Sequence, residues 1–91
     1  MIAPYRSTLV FDEASLPKAL RERHNTRAGV WGVIRVLEGQ LRLTFFDPPS
    51  EQLLDGDHPG LVRPGQPHFV TPMGQMHMQV DFYDREPPAN A

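Results

Sequence analysis

The chain has 91 residues, 40% of them hydrophobic and 22% charged, with a formal net charge of -2 and no cysteine. That length allows one folded domain with one modest core, and the missing cysteines exclude disulfides, thiolate catalysis and zinc–thiolate sites. The charge excludes the basic stripe of a nucleic-acid binder, and no apolar stretch is long enough to span a bilayer, so neither nucleic acid nor membrane is expected as a partner.

Ten prolines and seven glycines separate short runs rich in Val, Leu, Phe and Thr, the pattern of short strands joined by turns. The first strand is expected over Ser7 to Phe11. Ser15 is placed to cap one or two helical turns over Leu16 to Arg23, since proline, here Pro17, is tolerated near a helix start. Val30 to Leu37 is the strongest strand. Glu38-Gly39 reads as a two-residue hairpin turn with Gly39 at positive φ. Gln40 to Phe46 reads as the partner strand, with Leu41, Leu43 and Phe45 alternating against Gln40, Arg42 and Thr44. Short strands are expected over Glu51 to Leu54, Leu61 to Arg63 and His68 to Thr71. The last runs from Met76 to Tyr83, where Met76, Met78, Val80 and Phe82 form a half-buried stripe. Residues 1–84 read as a single domain and 85–91 as a disordered tail. Some seven strands with one helical turn define an all-β sandwich or small barrel.

The candidate chemistry lies in three pieces: His24-Asn25-Thr26-Arg27-Ala28-Gly29-Val30-Trp31-Gly32, Val36-Leu37-Glu38-Gly39-Gln40-Leu41, and Arg63-Pro64-Gly65-Gln66-Pro67-His68. Neutral imidazole is a good ligand for zinc, nickel and iron. His24 and His68 are distant in sequence, each beside a turn at a strand edge, so folding alone can bring them together. Two histidines make an incomplete site; His77, Gln79 or water would complete it. Asn25, Thr26, Trp31 and Gln79 are candidate pocket residues, although a tryptophan more often fills a core or an interface. His58 sits in an exposed loop. Arg27, Arg35, Arg42 and Arg63 would bind an oxyanion if they converge, and otherwise form an ordinary solvated surface. No Ser-His-Asp set, phosphate-binding glycine loop or zinc-protease motif is present.

The order of a Val-Leu-Glu-Gly-Gln-Leu turn followed by Pro-Gly-x-x-His resembles the two motifs of cupins. More closely, the His24-to-Gly32 segment, the Glu38-Gly39 turn, His68 and the ending Val80-Asp81-Phe82-Tyr83 resemble the small cupin domain at the N-terminus of tellurite resistance protein B and its stand-alone relatives. The similarity covers roughly Tyr5 to Tyr83. It implies a cupin-type β-barrel (a double-stranded β-helix or jelly roll) and a role near tellurite or oxyanion stress. It does not imply methyl transfer, which in the longer proteins belongs to a separate domain. Family members often carry a tryptophan just before the second histidine and a glutamate three residues after it; here these positions are Pro67 and Thr71.

The resulting expectation is a cytoplasmic homodimer. A secreted domain this small usually needs disulfides, the start Met1-Ile2-Ala3-Pro4-Tyr5-Arg6 lacks the features of a signal peptide, and pairing would bury more apolar surface. His24 and His68, with His77 as a third candidate, would hold a divalent metal (zinc, nickel or iron) that receives a small molecule or anion. The alternatives are a metal-dependent cupin enzyme, oxygenase- or isomerase-like, and a metal-free dimeric interaction module.

Overall fold

The computed structural model describes Ile2 to Pro88. In chain order the elements are β1 (Arg6–Ser7), β2 (Phe11–Asp12), α1 (Lys18–Arg21), β3 (Trp31–Glu38), β4 (Leu41–Phe46), β5 (Pro49–Leu54), β6 (Gly60–Val62), β7 (His68–Pro72) and β8 (His77–Tyr83). They form two antiparallel sheets. One is ordered β1-β8-β3-β6, with β2 also pairing β8; the other is ordered β5-β4-β7. Side chains from both sheets share one core, including Ile34, Val36, Met78 and Val80 from the first and Leu41, Leu43, Leu54 and Val70 from the second. This is the all-β, cupin-type barrel that the sequence leads one to expect.

Period-two alternation explains which residues enter that core. In β4, Leu41, Leu43 and Phe45 are buried, whereas Arg42 and Thr44 are only partly covered. In β8, Met78 and Val80 are buried and join the core, and Phe82 packs against it. His77 lies on the opposite face and is exposed. The outer face of the first sheet has its own buried feature. Asp81, 8% exposed, accepts from Arg35 Nε at 2.6 Å and from Ser7 Oγ at 2.6 Å, and this holds the Arg35 guanidinium above its usual range.

Three expectations change. First, β3 and β4 are not a hairpin. β3 pairs with β8 and β6, and β4 with β5 and β7, so Glu38-Gly39 carries the chain from one sheet to the other. Alternation fixes which side chains face the core, and both arrangements satisfy it. Gly39 does have φ +77, and a Cβ there would lie 2.2 Å from the Gln75 carbonyl oxygen; the crossing chain therefore passes too close to Gln75 for any larger residue. Second, the Ser7-to-Phe11 strand is split. Ser7 pairs with Asp81 and Phe11 with Met78, which leaves one extra residue on the N-terminal side, a bulge. Third, Ser15 does not cap α1. Pro17 holds the N-cap position, and Ser15 Oγ instead accepts from the Asp12 amide at 2.9 Å. Asp12 Oδ1 accepts in turn from the amides of Ser15 and Ala14, which lowers its pKa.

Of the segment 85–91, expected to be a disordered tail, Arg85 to Pro88 are described. Pro87 is buried and borders a small cleft with Val33, Pro59, Gly60 and Leu61. Residues 89–91 lie outside the described residues. No described helix is long and apolar enough to cross a membrane.

Candidate functional site

His68 opens β7, and its backbone explains how His24 reaches it. β4 occupies one edge of β7. The other edge is free to accept the segment at His24, which pairs with His68 as an isolated antiparallel bridge. The two residues exchange both backbone hydrogen bonds, His24 N–H to His68 O and His68 N–H to His24 O, each at 3.0 Å. Residues directly opposite on an antiparallel pair point their side chains to the same face. The two imidazoles accordingly sit together, with ring centroids 4.1 Å apart and planes tilted by 56°. A further bond, Gly65 N–H to Thr26 O at 2.8 Å, ties the His24 segment to the turn preceding His68. Gly65 adopts φ +68 in that turn.

Both rings are oriented by backbone carbonyls two residues upstream. His68 Nδ1 is 2.7 Å from Gln66 O, and His24 Nδ1 is 3.0 Å from Glu22 O. A carbonyl oxygen only accepts, so either ring, in its neutral form, carries its proton on Nδ1 and keeps its Nε2 lone pair available. Burial lowers the His68 pKa, against a smaller opposing effect of the Gln66 carbonyl, and nearby His24 lowers it further. His68 is therefore mostly neutral at neutral pH. His24 is only partly buried.

The pair lies on the wall of a cavity of about 300 Å³ between the two sheets. Its apolar body comes from Ile34, Val62, Val70, Met78, Val80 and Phe82, and its polar lining includes Arg6, Thr8, Asn25, Thr26 and Arg27 besides the histidines. No Asp or Glu is among the described lining residues. Nor do the described residues contain any group of three or more His, Cys, Asp or Glu able to hold a metal.

The other candidates lie elsewhere. His77 is on the outward face of β8, with Nδ1 3.0 Å from Glu38 Oε2, away from the histidine pair because its neighbours Met76 and Met78 take the inward positions. Asn25 and Thr26 line the cavity, but Trp31 and Gln79 do not. Gly32 and Ile34 face inward on β3 and Met78 and Val80 on β8, so the odd-numbered residues point outward. Trp31 lies beneath the Arg63 guanidinium, 5.9 Å from the ring centroid, and the Gln79 amide reaches Thr8 O. His58 is exposed, and its Nδ1 is 2.7 Å from Asp55 Oδ1. Of the four arginines weighed for oxyanion binding, only Arg27 lines the cavity. Sequence reasoning missed Tyr5 and Arg6. β1 is two residues long, too short for any alternation to show which way they point.

Fold and site together define an all-β, cupin-type barrel whose hollow end carries a bridged pair of histidines. A family model for the TehB-like domain matches residues 6–80, and the chain belongs to that family. Over 38 residues it is 40% identical to the probable S-adenosyl-L-methionine-dependent methyltransferase TehB of Haemophilus influenzae, a match covering 42% of this chain and 13% of that protein. The crystal structure of H. influenzae TehB superposes with a TM-score of 0.81 at 26% identity, over 90% of this chain and 31% of that one. This chain thus spans about a third of the TehB chain. A protein from Escherichia coli K12 superposes equally well, with a TM-score of 0.81 at 22% identity, over 96% of this chain and 93% of that one. FeII HppE superposes with a TM-score of 0.62 at 21% identity, over 81% of this chain and 40% of that one. The last two likenesses bear on the fold alone.

Proposed function

We propose that this domain binds a divalent metal through Nε2 of His24 and His68 and presents it to a small molecule or anion in the adjoining cavity. One observation carries the reading: both rings direct Nδ1 at a backbone carbonyl, which leaves Nε2 as the free nitrogen on two rings whose centroids are 4.1 Å apart. A carbonyl partner on the distal nitrogen is the usual second-shell arrangement of a ligating histidine. The donor set fits a metal that prefers imidazole, such as zinc, nickel or iron, with water or the incoming ligand filling the remaining positions. When bound, the metal would act as a Lewis acid toward an oxygen of that ligand. The protein's own contribution is to hold the rings and shape the cavity.

Binding is favoured over turnover. No carboxylate, lysine or cysteine lines the cavity among the described residues, so a dedicated general base other than the histidines is lacking. Kinship with TehB supports a role in tellurite or oxyanion stress.

The test is metal content of untagged protein after zinc or nickel loading, measured by mass spectrometry. One ion per chain is expected in the wild type and in His77→Ala, and none in His24→Ala or His68→Ala. Full stoichiometry in either of the last two would remove that histidine from the site.

A further inference from the structure

We infer that the cavity's ligand is an organic anion with an apolar body, its charged group held by Arg6 and Arg27. This deepens the proposed binding role by naming the ligand class, and it does not depend on the metal.

The first observation is the pairing of the cations. The sequence has nine Lys and Arg residues. Lys18, Arg35, Arg42 and Arg85 form ion pairs with Glu22, Asp81, Glu51 and Asp84. Arg21 donates to the Glu13 carbonyl, and Arg23 and Arg63 lie over the rings of Phe46 and Trp31. Arg6 and Arg27 are left, with no ion pair, side-chain hydrogen bond or aromatic face among the described residues. Both line the cavity.

The second observation is position. Arg6 pairs in register with Phe82, so its side chain shares the cavity-facing side of the first sheet. Arg27 borders the cavity from the segment that follows His24. Two arginines from separate elements thus border a cavity whose described lining has no carboxylate to neutralise them. Guanidinium matches carboxylate geometry through paired N–H donors.

The third observation is the cavity body. At about 300 Å³ it lies at the lower end of small-molecule sites, which run from about 300 to 1,000 Å³. Its inner walls are Ile34, Val62, Val70, Met78 and Val80. A bare inorganic oxyanion would leave that apolar surface uncovered, whereas a short alkyl or aryl chain would cover it.

Calorimetric titration with hexanoate, 1-hexanol and tellurite tests the inference, on protein stripped with EDTA and on protein saturated with zinc. In stripped protein, hexanoate is expected to bind at least about tenfold more tightly than either other probe. The double variant Arg6→Gln/Arg27→Gln should weaken hexanoate by about tenfold or more, the scale of a lost charge-assisted hydrogen bond, and leave 1-hexanol unchanged. Both arginines are exposed, so the variant should fold, and the 1-hexanol titration reports on its cavity. Absence of hexanoate binding, equal binding of 1-hexanol or tellurite, or full hexanoate affinity in the double variant would overturn the inference. Hexanoate binding that needs zinc and survives the arginine changes would overturn it while supporting the metal reading. Arginine-dependent binding in a protein that takes up no zinc would uphold it and sink the metal reading.

Discussion

The space between the two sheets has a filled half and a hollow half. Near the Gly39 crossing, Leu41, Leu43, Leu54 and Met76 are essentially inaccessible to solvent and interdigitate. Toward His68 the facing positions are Gly32, Val62 and Val70, and the cavity opens there. The two inward glycines show the same contrast. A Cβ on Gly60 would lie 2.8 Å from Leu54 Cδ1 and 2.9 Å from Leu43 Cδ2, whereas one on Gly32 would meet nothing nearer than Val80 Cγ1 at 3.6 Å. One half thus provides the stability of a small domain, and the other gives up packing and leaves room for the ligand proposed above.

Truncation should separate the halves most strongly. Leu43→Ala in the filled half is expected to cost about 2–5 kcal/mol, because it adds a new void to the lost transfer energy. Val70→Ala opens onto space that already exists and should cost about 1.5 kcal/mol, the transfer term alone. Urea unfolding measures both, and equal costs would remove the distinction.

Enlargement should act in the reverse sense. Gly60→Ala is expected to destabilise by about 1–3 kcal/mol through overpacking. Gly32→Ala, with room for its methyl and no positive φ, should be neutral or stabilising by about 0.4–1 kcal/mol through reduced freedom of the unfolded chain. Its methyl should also narrow the cavity and weaken hexanoate binding.

A smaller effect concerns pH. Burial lowers the His68 pKa below its unfolded value of about 6.5. Between the folded and unfolded values the unfolded chain binds more protons, so stability there rises with pH. This contribution is complete above about pH 6.5 and is lost as the pH falls toward the folded value. Unfolding curves between pH 7 and 5 should therefore show a steeper loss in metal-free wild type than in His68→Gln; parallel slopes would mean that the ring is solvated.

Much of this comparison is written in the sequence, but unevenly. Alternation in Leu41-Leu43-Phe45 and Met76-Met78-Val80-Phe82 shows which side chains enter the core, because a strand reverses face at every residue. It does not show that Glu38-Gly39 passes between sheets, since strand pairing depends on contacts distant in sequence. His24 and His68 were legible through a family resemblance, and Asn25 and Thr26 came with them. Trp31 belongs to the same segment as His24, and Gln79 shares a strand face with His77, yet each occupies the outward parity of its strand. Arg6 left no local signal; its position follows from pairing with Phe82, 76 residues later.

The most direct measurement of the central claim is long-range nitrogen–proton correlation NMR of the histidine rings, recorded near neutral pH before and after adding zinc. Both His24 and His68 should show the Nδ1–H tautomer in the metal-free protein, and their Nε2 resonances should shift together on zinc addition while His77 stays unchanged. An Nε2–H tautomer at either ring, or Nε2 signals indifferent to zinc, would contradict the account.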